Sequence, residues 1–285
     1  FGSENEFLPG GNYWTIFDRN PYRFTGYLED KIEYEGFITT IGLVPELVVF
    51  NGKWYDADTY DKGFYSGSYT EEDKDLYLTK EVKPKFYLSP RLAISHPITE
   101  NSKLFFNYGH YRAMPDAQNQ YRVQRDYINK LNYIGDPTLP LSRTISYEVG
   151  FDQALFNTYL LHISAYYKSI DNETAWTDFY SIDGKVSYSK LTSNHYEDIR
   201  GFEIELEKNY GDWVTGMLSY EYRVRNRGFF GIDEFYENPS DQASYDRQHP
   251  YLQYWYPAAH NLKAYIDFHT PVNFGPKIAE QNIFG

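Results

Sequence analysis

The sequence predicts an all-β fold, an antiparallel transmembrane β-barrel meander, on three observations. Apolar and polar residues alternate through segments of roughly ten residues, the length a tilted strand needs to cross a bilayer. Very short and very long connections alternate between these segments. The chain is also rich in rings, with 31 Tyr and 20 Phe among 285 residues. Successive side chains of a strand point to opposite faces, so strict alternation separates an apolar face from a polar one. A barrel wall needs that separation, apolar toward lipid and polar toward the lumen, with aromatic girdles at both membrane interfaces.

The clearest strand is the run Gly201 to Lys208, where Phe202, Ile204 and Leu206 alternate with Glu203, Glu205 and Glu207. Nine strands follow from the same pattern, at 22–34, 37–49, 86–96, 102–112, 143–155, 158–170, 198–209, 212–224 and 260–270. In the first, a face formed by Phe24, Leu28 and Ile32 also carries Asp30, which implies a bulge, an interfacial position or another register. The second contains Val44-Pro45-Glu46, and proline within sheets is expected at edges and bulges. The sixth sets Tyr159, Leu161, Ile163, Ala165 and Tyr167 against His162, Ser164, Tyr166 and Lys168. The eighth sets Val214, Leu218, Tyr220, Tyr222 and Val224 against Thr215, Met217, Ser219, Glu221 and Arg223. The ninth sets Leu262, Ala264, Ile266 and Phe268 against Asn261, Lys263, Tyr265 and Asp267.

Tight turns are expected at 35–36, 97–101, 156–157 and 210–211, and long loops at 50–85, 113–142, 171–197 and 225–259. Loops of that length are uncommon in compact soluble domains. Outer-membrane barrels combine short periplasmic turns with long extracellular loops, so a soluble β-sandwich is the weaker reading. No stretch approaches the ~20 apolar residues of a spanning helix, and mean hydropathy is −0.65. In a bilayer this leaves a closed barrel. A net charge of −13 argues against nucleic acid as a partner. The absence of cysteine excludes disulfides and thiolate metal sites. The chain starts at Phe1 with no signal peptide, and an internal piece of a longer protein is expected.

No catalytic constellation emerges, and neither an enzyme, a cofactor nor a metal is expected. Asp56, Asp58 and Asp61 before Gly63 faintly resemble a calcium loop, but the spacing is wrong and the closing bidentate Glu is missing. The seven histidines are scattered without ligand spacing, and no nucleophile elbow, P-loop or dinucleotide fingerprint is present. The row Glu203, Glu205 and Glu207 offers a cation path; the plainer expectation is that these lumen carboxylates pair with Arg91, Arg223 or Lys263, or with a domain inside the barrel. Ligand contact is expected in the long loops, where Trp176 stands near Phe179 and Tyr180. A second cluster joins Tyr251, Tyr254, Trp255 and Tyr256 to Asp246, Arg247 and His249. Exposed rings of this kind mark binding surfaces, unless they pack among themselves or belong to the outer girdle.

The segment Lys85 to Thr99 (KFYLSPRLAISHPIT) resembles the "SPRLG-S-P-T" strand and turn of TonB-dependent outer-membrane receptors. Leu104 to Tyr111 (LFFNYGHY) is similar to their "F-YGHF" strand. Leu139-Pro140 followed by Arg143 to Phe151 (RTISYEVGF) resembles "P-RTISYEVGF", Ala165 to Ile170 (AYYKSI) resembles "AYYKDI", and Arg200 to Glu205 (RGFEIE) resembles "RG-E-E". Tyr22-Arg23-Phe24 and Glu29 to Gly36 are similar to the large Oar-like receptors. The resemblance covers most of residues 22–275, and it implies a piece of a 22-stranded barrel that holds an N-terminal plug. It further implies outer-membrane lipid around the wall, a TonB complex acting through the plug, and active import of a scarce ligand such as a siderophore, cobalamin, glycan or peptide. Neither plug nor TonB box is in the sequence, nine strands cannot close that barrel, and the chain stops at Asn282-Ile283-Phe284-Gly285 where another strand is expected. Residues 1–285 are therefore expected to be a partial barrel domain. A passive porin, or a surface adhesion or secretion-associated barrel, is the alternative.

Overall fold

A computed structural model describes residues 19–250, 253–271 and 274. Nine wall strands run through it. β1 consists of Tyr22–Thr25 and Leu28–Tyr34, and is followed by β2 (Phe37–Val49), β3 (Lys85–Thr99), β4 (Ser102–Ala113) and β5 (Ser142–Leu155). β6 (Tyr159–Tyr180), β7 (Ser187–Lys208), β8 (Val214–Phe229) and β9 (Ala259–Phe268) complete the series. Each pairs antiparallel with its neighbours in sequence, giving one meander that is open between β1 and β9 among the described residues. In such a meander the short turns share one rim and the long segments share the other, as expected. The turns at Glu35-Gly36 and Phe156-Asn157 hold both central residues at positive φ (48° and 81°, 51° and 53°), the twist that joins two strands most tightly. The turn before β4 is tighter than expected: β3 continues to Thr99, with a register shift at Pro97. The proline sits at that irregularity, where its missing N–H does least harm.

The register shows which side chains share a face. Leu206 stands opposite Leu161 and Leu218, and Ile204 opposite Ile163 and Tyr220, which in turn faces Leu262. Leu104, Val149, Ile163, Ile204, Leu218, Leu262 and Ile266 are all exposed on this face. An apolar sheet face with nothing packed on it is the signature of a lipid-facing wall. The other face carries Lys103, Glu148, Asp152, His162, Glu203 and Glu205 in matching rows.

β1 differs from expectation. Its two pieces keep one register, Phe24 opposite Leu47 and Leu28 opposite Leu43, so no bulge separates them. The interruption comes from Pro45. Gly26 N donates to Pro45 O at 2.9 Å, and the reciprocal bond fails because proline has no N–H. Pro45 is also opposite Leu88 of β3, so this proline lies inside the sheet rather than at an edge or bulge. Asp30 therefore stays on the outward face, in the row of Ile41, Leu92, Tyr108 and Tyr147.

The larger correction concerns segment 171–197. It is not a loop: β6 and β7 are 22 residues each and pair up to Tyr180–Ser187. At ~3.3 Å per residue such a strand is about 70 Å long, roughly twice what a tilted crossing requires. Outward apolar residues end near Tyr167 and Phe202, so the rest of the hairpin projects beyond the apolar band of the wall. A break in register near Glu173, with Asn172 at φ 53°, marks the departure. There His195, 1% exposed, binds Glu173 through Nδ1 at 2.7 Å. Arg227 Nε donates to its Nε2 at 3.2 Å, which leaves the ring proton on Nδ1.

The principal buried core also lies outside the wall. Val48, Phe50, Trp54, Phe64, Tyr65, Tyr69, Tyr121, Leu131, Leu141, Val186 and Tyr188 cluster together. Val48 comes from the end of β2, and the rest from segments 50–85 and 113–142 and from the projecting hairpin. A wall facing lipid on one side and a polar space on the other has no interior to fill, whereas these segments fold on one another into a cap at the long-segment rim.

Candidate functional site

Two features have the makings of a site: the polar face of the wall and the cap above it. On the polar face a cavity of about 630 Å³ is lined by Tyr111, Ser146, Glu148, Tyr166, Lys168, Glu203, Glu221 and Arg223. Its carboxylates are hydrogen-bonded. Tyr166 Oη donates to Glu221 at 2.5 Å, Ser219 Oγ to Glu203 at 2.9 Å and Asn107 Nδ2 to Glu148 at 3.1 Å. Nearer the short-turn rim, Asp152 accepts from His162 Nδ1 at 2.5 Å and from Lys103 Nζ at 3.1 Å. Glycine keeps this face open for rings. A Cβ on Gly150 would meet the Phe105 ring at 2.2 Å, and one on Gly201 would meet Tyr166 Oη at 2.8 Å.

Glu203, Glu205 and Glu207 share the polar face, but the ion pairs expected with Arg91, Arg223 or Lys263 do not form among the described residues. The reason is lateral distance. Lys263 lies in the row of Glu205 with Ser219 between them, two strand spacings or about 10 Å away. Arg223 faces Gly201, one row off Glu203. Arg91 is on β3, four strands from β7, and its guanidinium covers the Tyr111 ring at 4.9 Å. The row thus presents carboxylates that no cation among the described residues neutralises.

The cap is held by rings and by hydrogen bonds between distant segments. Tyr65, Tyr188, Phe179 and Phe235 form one stack with centroid spacings of 3.9, 5.1 and 5.0 Å. Tyr188 Oη donates to Thr59 O at 2.9 Å, Trp54 Nε1 to Gly135 O at 3.0 Å and Tyr60 Oη to Phe235 O at 3.2 Å. Arg125, 8% exposed, covers the Tyr69 ring at 3.6 Å and donates to Phe64 O at 2.8 Å. Burial pushes the Tyr69 hydroxyl up to about 12, against the opposing pull of the Arg125 charge, so it stays protonated at physiological pH. Asp61, read in sequence beside Asp56 and Asp58 as a faint calcium loop, instead caps the helix Lys62–Tyr65, accepting from Phe64 N at 3.1 Å. No group of potential metal ligands clusters among the described residues.

The sequence candidates for ligand contact fall in different places. Trp176 lies on the projecting part of β6. Its ring packs edge-on against Tyr133 at 5.2 Å, with the Arg122 guanidinium 5.7 Å away. Its neighbours Phe179 and Tyr180 pack into ring stacks of the cap. Arg247 is in the last turn of the helix Pro239–Gln248, and His249 ends that helix stacked on Tyr245 at 4.2 Å. Tyr245 continues through Tyr236 to Tyr180 at 5.7 and 5.0 Å. Tyr254 and Trp255 are exposed on the short strand Gln253–Trp255, paired with β8. Among the described residues no ring contact joins them to Trp176 or His249, and Tyr251 lies outside those residues. Sequence reading missed Arg122, Tyr133, Tyr236 and Tyr245. The signal available was the alternation of Trp176, Asp178 and Tyr180 with Thr177 and Phe179, which continues the β6 pattern beyond residue 170.

The fold has known counterparts. The Serratia marcescens hemophore receptor HasR, solved with its hemophore HasA and heme, aligns with a TM-score of 0.55 at 13% identity, over 80% of this chain and 44% of that one. The FrpB iron transporter of Neisseria meningitidis aligns at 0.48 and 12% identity, over 76% and 32%. The ferric enterobactin receptor PfeA of Pseudomonas aeruginosa aligns at 0.48 and 12%, over 75% and 31%. The chain thus spans between about a third and under half of these structures. No curated protein matches the sequence. A family model described as TonB dependent receptor-like, beta-barrel, matches residues 2–274. With the meander, the bare apolar face and the long-segment rim already established, this match makes the chain a member of the TonB-dependent receptor-like β-barrel family.

Proposed function

We propose that this chain is part of the wall of an Oar-like receptor in the outer membrane of a Gram-negative bacterium, and that the whole receptor imports a scarce ligand with energy delivered by TonB. Members of the family are transporters rather than enzymes. The observation that supports the reading is the pairing of a polar wall face with a folded aromatic cap at the long-segment rim, which the reading makes the extracellular one. The unneutralised Glu203, Glu205 and Glu207 are assigned to the lumen, where a plug with basic side chains would meet them. Trp176, Arg247, His249, Tyr251, Tyr254 and Trp255 remain the candidates for first contact with the ligand. HasR is described in complex with its hemophore HasA and heme; a cap with its own core gives a ligand of any size a preformed surface, which lowers the ordering cost of binding.

The test is growth of cells expressing the intact receptor on a panel of sole sources: ferric siderophores, heme, cobalamin, oligosaccharides and peptides. The expected result is uptake of one class that needs both the receptor and TonB. Trp255→Ala and Arg247→Ala are expected to raise the half-saturating concentration while leaving the amount of folded receptor unchanged. Uptake that persists without TonB would overturn active import in favour of a passive pore.

A further inference from the structure

We propose that the outward face of β6 to β9, close to the short-turn rim, holds an anionic glycerophospholipid of the periplasmic leaflet. An apolar groove of about 360 Å³ lies there, with Leu206, Leu218 and Ile266 along its sides. Its floor is Gly216, flanked in register by Lys208 on one side and Ile266 on the other. The missing side chain at Gly216 and the small Ala264 beside Leu218 leave a trough in a wall otherwise faced with large aliphatic groups. A methylene chain fills such a trough at a gain of the order set by the apolar area covered.

Lys208 gives the groove a polar end. It is the last residue of β7, on the same face as Leu206, and it forms no ion pair among the described residues. Its ammonium lies 5.7 Å from the Tyr159 ring, on the side of the groove nearest the turn. The turn holds it there: a Cβ on Gly211 would come within 3.1 Å of Lys208 Nζ, so the glycine leaves room for the amine. Depth agrees with this. Tyr210 and Trp213, 73% and 53% exposed, flank the turn, and such rings collect at the membrane interface. A cation at headgroup depth beside an acyl-sized groove is complementary to a phosphodiester that carries net negative charge. It does little for a zwitterionic headgroup, whose own amine competes.

The intact receptor, purified from outer membranes in mild detergent, is examined by native mass spectrometry with phosphatidylglycerol and phosphatidylethanolamine added in equal amounts. One phosphatidylglycerol should be retained in preference, by about fivefold for one interfacial cation. Lys208→Gln should equalise the two lipids. Ala264→Phe should fill the trough and lower retention of both; position 264 is exposed, so the larger ring is accommodated. Gly216 is unsuitable for this purpose, because a Cβ there would meet Tyr265 O at 2.4 Å. Heat-modifiable migration on gels confirms that each variant is folded. Equal retention of the two lipids by the unmodified receptor, or a preference that survives Lys208→Gln, would overturn the proposal.

Discussion

Replacing Phe64 with alanine should open the cap and leave the wall intact. Phe64 is fully buried, with Tyr55, Tyr65, Tyr69 and Tyr77 at centroid distances of 5.2, 4.8, 5.7 and 4.9 Å and the Arg125 guanidinium 4.9 Å from its ring. Phe→Ala truncation in a packed core costs about 3–5 kcal/mol. The lost cation–π contact belongs to the upper part of that range, while the bond from Arg125 to Phe64 O does not depend on the side chain. At about 1.4 kcal/mol per tenfold, the opened population of the cap rises by roughly two to three and a half orders of magnitude. Limited proteolysis of the intact receptor in outer-membrane vesicles reads that population when reclosing is faster than cleavage. New cuts are expected within 50–85 and 113–142, with the wall still heat-modifiable on gels. Unchanged protease resistance would refute the claim that these segments share a core. Loss of the wall along with the cap would refute their independence.

Three further outcomes are expected. Ile204→Arg puts a guanidinium on the lipid face beside Ile163 and Tyr220, costing ~2–4 kcal/mol near the bilayer midplane; refolding into lipid vesicles should show this, and a neutral result would mean the face does not meet lipid. The 285-residue chain expressed alone should aggregate rather than insert, because the free edges of β1 and β9 expose backbone groups that hydrocarbon cannot satisfy; a stable monomeric conducting pore would contradict the partial-barrel reading. At the hairpin tip, Asp183 accepts from Lys62 Nζ at 2.7 Å and from Lys185 N at 3.2 Å, which hold its carboxyl at about 2. A carboxyl lowered on folding stabilises above its unfolded value near 4 and ceases to do so as pH falls toward 2; the protection of the amides around 181–186, taken against their intrinsic exchange rates at each pH, should therefore fall across that window, and Asp183→Asn should remove this pH dependence.

The sequence by itself determined the wall. Alternation with period two is a local property, so Phe202-Glu203-Ile204-Glu205 assigns its own two faces with no knowledge of partners. The order of short and long connections then settles a meander and its two rims. It did not determine how far β6 and β7 run, because beyond Tyr167 the outward residues become polar and the contrast between faces fades although the backbone pairing continues. Nor could it decide Pro45 and Asp30: whether a proline interrupts a strand depends on which neighbour would have received its N–H, and only the register of β1 against β2 shows that. The ion pairs expected of the glutamate row failed for a related reason. Sequence places Lys263 and Glu205 on one face, but the strand between them sets a separation too large for contact. The cap was the least legible part, since Trp54, Phe64, Tyr121 and Tyr188 are scattered in sequence and their packing is a matter of long-range contact. Periodicity encodes a surface that faces a uniform solvent such as lipid; a core made of irregular segments has no period, and tertiary structure alone assembles it.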